Sequence, residues 1–164
     1  MSITVPVSGN AISSSGFGIP VANTINGFCV GPGATNTGTI TLVTTGTAVA
    51  GLAVVTFTLS VQTRVLITAQ ATFVPSGATA SRMTLQAGYN SGSSAVIGSF
   101  TGVGEPFDVG NDGTTTRRSA RSDGDVLLAA GTYTAYAACT RSAAGSASDT
   151  ATNFYTRVDF CGYT

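Results

Sequence analysis

From residue 39 onward, apolar side chains recur at every second position in one short run after another. That spacing has a period of two, the signature of strands with one buried face. In "AVVTFTLSV", Val55, Phe57, Leu59 and Val61 alternate with Thr56, Thr58 and Ser60. In "RVLITAQATF", Val65, Ile67, Ala69, Ala71 and Phe73 take one face, and Arg64, Thr68, Gln70 and Thr72 take the other. "RMTLQAGY" places Met83, Leu85, Ala87 and Tyr89 inward. Tyr133, Ala135, Ala137 and Cys139 share a face in "GTYTAYAACTR", as do Phe154, Val158 and Phe160 in "TNFYTRVDF". Many short alternating runs separated by turn residues predict an all-β fold, an antiparallel sandwich or barrel.

The punctuation agrees. "VPSGATAS" (74–81) and "NSGSS" (90–94) read as turn clusters, while "NDGTTT" (111–116) and "SDGD" (122–125) read as Asp-Gly turns. "TRSAAGSASDTATN" (140–153) reads as an exposed low-complexity hairpin loop. Helix signals are confined to a short stretch at 20–26, where Pro20 suits a first helical position.

Residues 1 to 38 lack alternation and hold three of the five prolines, Pro6, Pro20 and Pro32. Within "GNAISSSGFGIPVANTING" the apolar Ile12, Phe17, Ile19, Val21 and Ile25 sit among serines, glycines and asparagines. Such a segment has no core of its own to enter. The expectation is an N-terminal arm and linker over 1–38 and a sandwich domain over 39–164. The arm's ordering entropy would be recovered by docking elsewhere.

Charge sharpens this. Charged residues are 9% of the chain, against roughly 25% in ordinary globular proteins, and the formal net charge is +0. Nothing here attracts phosphates over a distance, so neither nucleic acid nor an anionic membrane is an expected partner. A surface so short of charge is instead expected to be hydrated by hydroxyls or covered by other subunits. All seven basic residues are arginine, which favours fixed contacts made by guanidinium forks. No basic segment followed by an apolar stretch marks a signal peptide, and no window reaches the roughly 20 apolar residues of a spanning helix.

The inventory for catalysis is thin. With no histidine, no lysine and one glutamate, triads, Schiff bases and P-loop chemistry are excluded. A glycosidase needs two carboxylates, and Glu105 with Asp108 or Asp123 with Asp125 are candidates, but both pairs read better as turn residues. "DVGNDG" and "SDGD" resemble calcium loops only loosely and lack a bidentate glutamate at the right distance. No catalytic residue, metal or cofactor is expected. Cys29, Cys139 and Cys161 are an odd number at wide spacing, read as free thiols in a reducing compartment.

Apolar residues on polar parities carry the interaction signal. Leu66 interrupts the polar face of its strand, Tyr136 lies between Thr134 and Ala138, and Tyr155 falls on the polar parity of the last strand. Several on different strands point to a second buried face, hence to a subunit interface. The cluster "TTTRRSAR", with Arg117, Arg118 and Arg121, is expected to form intersubunit salt bridges with nearby aspartates.

The strands "RVLITAQATFVPSGATASRMTLQAGYNSG" and "GDVLLAAGTYTAYAACTRSAAGSASDTATNFYTRVDF" resemble the jelly-roll modules of the tumour-necrosis-factor and complement-globular-head type found in virion proteins of tailed bacteriophages. "ISSSGFGIPVANTIN" is similar to N-terminal docking segments of phage minor structural proteins. The resemblance implies a jelly-roll β-sandwich and a homotrimer assembled in the host bacterial cytoplasm, and the thin catalytic inventory leads to the expectation of no enzyme activity. The leading expectation is a capsid decoration protein on the outer surface of the head. Its arm, through Ile12, Phe17, Ile19, Pro20, Val21 and Ile25, would dock on the major capsid protein, and Leu66, Tyr136 and Tyr155 would make trimer contacts. The alternative is a receptor-binding or tail-fibre tip that recognises host glycans through the loops at 90–94, 102–116 and 142–152.

Overall fold

The computed structural model describes residues 31–42, 46–77, 80–110, 115–141 and 149–163. The expected docking residues of the arm, and the short helical stretch at 20–26, lie outside the described residues. Among the described residues ten strands follow one another: β1 (Gly33–Thr41), β2 (Ala48–Ala50), β3 (Val55–Leu59), β4 (Thr63–Val74) and β5 (Arg82–Ser91), then β6 (Thr101–Gly102), β7 (Phe107–Gly110), β8 (Arg118–Leu128), β9 (Gly131–Arg141) and β10 (Thr150–Tyr163). A 3-10 turn, Ile97–Ser99, stands between β5 and β6.

The strands form two antiparallel sheets packed face to face as a jelly-roll β-sandwich. The front sheet has the order β1-β10-β4-β8. The back sheet has the order β2-β9-β5-β6, with β3 also pairing β9 and β7 also pairing β5. Between them lies the core that the alternation marked: Val65, Ile67, Ala69, Ala71 and Phe73 from β4 have no exposed surface, nor have Met83, Leu85 and Ala87 from β5. Each large side chain among them contributes about 1.5–3 kcal/mol of burial. Aromatic rings close one end, with Phe57 stacked on Tyr133 at 5.8 Å between centroids and edge-on to Phe160 at 5.9 Å.

Four local readings change. β1 begins at Gly33, so strand structure starts before residue 39, inside the stretch read as linker. Its sequence, GATNTGTIT, shows no alternation because it is an edge strand that sends little into the core. Val61 is 43% exposed, since β3 ends at Leu59 and the chain turns before β4. The alternation in β10 is reset at Asn153, whose φ of 52° supports a bulge between Thr152 and Tyr155. Asparagine tolerates that left-handed conformation, and the extra residue lets Ala151 and Phe154 both face inward.

The fourth change concerns "SDGD". It is the middle of β8, not a turn: Ser122, Asp123, Gly124 and Asp125 pair in register with Ala69, Thr68, Ile67 and Leu66. The glycine is there because another segment crosses it. A side chain on Gly124 would collide with the backbone at Gly104, itself at φ +63°. Beside this crossing, β7 pairs with Arg82 to Leu85 and β6 with Gly88 and Tyr89, which leaves a gap on the edge of β5. In that gap the Ala87 N–H reaches across the sandwich to Ser122 Oγ at 3.1 Å, and the Ser122 hydroxyl donates to Glu105 O at 3.1 Å. One buried serine therefore ties the two sheets together.

Candidate subunit-contact face

The outer face of the front sheet is built by the polar parities of β10, β4 and β8. Tyr155, Arg157, Asp159 and Cys161 alternate along β10; Arg64, Leu66, Thr68 and Gln70 along β4; Arg121, Asp123, Asp125 and Leu127 along β8. Register sets them in rows. Asp159, Leu66 and Asp125 lie side by side, then Arg157, Thr68 and Asp123, then Tyr155, Gln70 and Arg121.

Charge on this face is cancelled within the plane. Arg64 contacts Asp125 Oδ2 at 2.6 Å through Nη2 and 2.7 Å through Nε. Arg157 Nε donates to Asp159 Oδ1 at 2.8 Å, and Arg121 Nε lies 3.7 Å from Asp123 Oδ1. The first and last pairs are exposed and worth little in isolation. The Arg157–Asp159 pair is more protected, with the Asp159 side chain only 8% exposed. The hydrogen bond to Asp159 raises the Arg157 pKa still further, against partial desolvation, and a hydrogen bond to Tyr155 adds to it. Cys161 closes the β10 column, half-buried. Desolvation raises its thiol pKa, while the Leu66 backbone and the Arg64 charge pull the other way.

The predicted contact residues divide. Leu66 and Tyr155 are on this face and half-buried, as their parity indicates. Tyr136 is not available for contact: it is fully buried inside one chain. Its parity does point outward from the back sheet, but the segment after β5 folds over it, and Phe100 packs on its ring at 5.2 Å. Burial raises the Tyr136 pKa, with the Val96 backbone lowering it. The Asn90 side chain fastens the covering segment, donating to Ser91 O and Ser94 O and accepting from Val96 N–H. Arg117 and Arg118 lie exposed at the start of β8, and Arg121 faces Asp123 of its own chain. Leu127, 47% exposed on the same parity, was missed. The alternation "RSDGDVL" contains the signal, but reading SDGD as a turn breaks the run.

Three of the four candidate carboxylates are engaged by neighbours. Asp123 and Asp125 face arginines, and Asp108 accepts from Arg82 at 3.0 Å and Thr84 at 2.9 Å. Among the described residues no group of three or more acidic or cysteine side chains is placed to hold a metal ion. In the loops of the glycan-binding alternative, Phe107 is the exposed aromatic among the described residues.

No protein-family model matches the chain, and no curated protein matches it. Solved structures do. The globular domain of a zebrafish complement 1qA protein superposes with a TM-score of 0.51 at 12% identity, covering 82% of this chain and 98% of that one. The two share a jelly roll. Eiger TNF from S. frugiperda matches with a TM-score of 0.40 at 11% identity, over 66% of each chain. The CBM22-1 xylan-binding domain of Paenibacillus barcinonensis Xyn10C gives 0.37 at 11% identity, over 87% of this chain and 90% of that one. At these identities the first match speaks for the fold and for nothing finer.

Proposed function

We propose that the protein is a non-enzymatic virion structural protein, a homotrimeric capsid decoration protein that binds the assembled shell of a tailed bacteriophage and stabilises it. The observation that supports self-association is the outer face of the front sheet. Its arginines and aspartates are paired in the plane, and Leu66, Tyr155, Leu127 and Cys161 stand among them. A second subunit can cover such a face without stripping water from unpaired charges, the costly part of burying a polar surface. The virion assignment rests on the resemblance of the strands and on the apolar arm that precedes them. Stabilisation follows from mass action, because any partner that binds only the assembled shell shifts its equilibrium away from disassembly.

The test is cosedimentation of the full chain with phage heads that lack it, next to light scattering of the free protein. Saturable binding by a trimer, lost on Leu66→Arg together with the trimer, is expected. A monomer in solution would refute the trimeric reading. Absence of binding to heads, with binding to host glycans, would move the assignment to a tail tip.

A further inference from the structure

β3 lies at the edge of the back sheet on the side away from β5, paired with β9 alone among the described residues. Hydrogen bonds along β9 fix which groups of β3 face outward. The Gly51 N–H donates to Ala137 O at 2.7 Å on one side of β9, and the Gly92 N–H donates to Thr132 O at 2.8 Å on the other. Main-chain groups of successive strand residues point alternately to the two sides, so Gly131, Tyr133 and Ala135 bond toward β3. Their partners there are Leu59, Phe57 and Val55. The N–H and C=O of Thr56 and Thr58 therefore point off the sheet, where no strand among the described residues takes them up.

Sheets guard such edges with charge, proline or a bulge. The far edge of this sandwich is guarded, by Asp108 on β7 and by Arg118, Arg121, Asp123 and Asp125 on β8. β3 has none of these devices: its register with β9 is unbroken, and residues 33–63 hold neither charge nor proline.

We propose that β3 is a strand-addition site for a second copy of itself, paired antiparallel about a two-fold axis at Phe57. Thr56 then faces Thr58 of the partner subunit, and each such pair exchanges both of its N–H···O bonds. Two observations single out a second copy as the occupant. Near a two-fold axis a side chain meets its own counterpart, so a charge there would be repelled, and this edge carries none. The hydroxyls also match. Thr56 Oγ1 lies 3.2 Å from Thr134 Oγ1, and Thr58 Oγ1 lies 3.1 Å from Thr132 Oγ1. Pairing extends them into one row across the axis, in which every hydroxyl can donate and accept. The exposed Leu52, Val54 and Val61 flank the strand and gain cover. The outer face of the front sheet stays open, so β3 can join trimers without displacing their contacts. Trimers side by side on one shell, which rests on the proposed function, would meet at the high effective concentration that so short a contact needs.

The test is hydrogen exchange of the full-length protein over a dilution series, for the wild type and for Leu66→Arg. The Thr56 and Thr58 amides are expected to gain protection as concentration rises, while the Phe57 amide, bonded to β9, is protected throughout. Two double variants at these exposed positions check the register. Thr56→Lys with Thr58→Lys sets like charges face to face and is expected to weaken association about tenfold or more. Thr56→Glu with Thr58→Lys sets opposite charges face to face and is expected to keep it. Free exchange of both amides at every concentration, or undiminished association of the first variant, would overturn the pairing. Protection that appears only when phage heads are added would assign the edge to a foreign strand, and would overturn it too. Leu66→Arg keeps the two readings apart, because it removes the proposed trimer contact and leaves β3 untouched.

Discussion

Replacing Ser122 by alanine tests whether its hydroxyl helps to fasten the two sheets. Ser122 is 3% exposed, and its oxygen both accepts from the Ala87 N–H and donates to Glu105 O. Ala87 has no exposed surface, and the gap between β6 and β7 offers its N–H no strand partner. The substitution adds no bulk and removes one oxygen, so the cost is mainly that of a buried amide left unpaired, about 1–3 kcal/mol. For a domain of this size 1 kcal/mol lowers Tm by about 2–4 °C, so a value near the middle gives a fall of about 4–8 °C. The assay is calorimetry alongside amide hydrogen exchange at Ala87 and Val103, whose N–H donates to Ala87 O at 2.8 Å. Ser119→Ala, on the exposed parity of the same strand, is the control and is expected to stay within about 0.5 kcal/mol. An unchanged Tm with Ala87 still protected would refute the clasp, because it would mean the amide has another partner.

Three further outcomes are expected. Gly124→Ala forces a methyl into the backbone at Gly104, and overpacking of that kind costs about 1–3 kcal/mol, read as a lower urea midpoint. Asn153→Val places a β-branched residue at φ 52° and should cost about 1–2 kcal/mol, whereas Asn153→Gly should be close to neutral in the same titration. Cys139 confers an alkaline sensitivity. Its thiol ionises at about 12 in the fold against an ordinary 9.0, so between those values the unfolded chain binds fewer protons than the folded one. Stability from this group is full below about pH 9 and is lost as pH rises toward about 12; in Cys139→Ala the denaturation midpoint should fall less steeply over that window.

How far the fold could be read from the sequence depends on what each residue's environment contains. The inward faces of β4 and β5 were plain because every second residue meets the same core. The bulge at Asn153 hid in that pattern, since one extra residue shifts parity without changing composition. Gly124 misled for a physical reason: glycine serves both where a chain turns and where another backbone crosses it, and only the tertiary fold distinguishes the two. Tyr136 shows the limit of parity. Alternation says which way a side chain points, but the cover that Phe100 and the Asn90-braced segment lay over it comes from elsewhere in the chain. Of the candidate face, Leu66 and Tyr155 were legible as apolar side chains on polar parities. The in-plane pairing of Arg64 with Asp125 was not, because it joins residues from strands whose adjacency the sequence does not state.

The order of strands in the front sheet has a consequence for how the molecule is made. β1, the first described strand, pairs with β10, the last, and β10 also forms the inner neighbour of β4. Until residues 150–163 have been synthesised, the front sheet consists of β4 and β8 alone. β1 must wait on the ribosome without its partner, and at about 5–20 residues per second that wait lasts several seconds. Completion of the front sheet is thus timed by the synthesis of β10, and a nascent chain stalled after β9 holds only a back sheet with half of its cover.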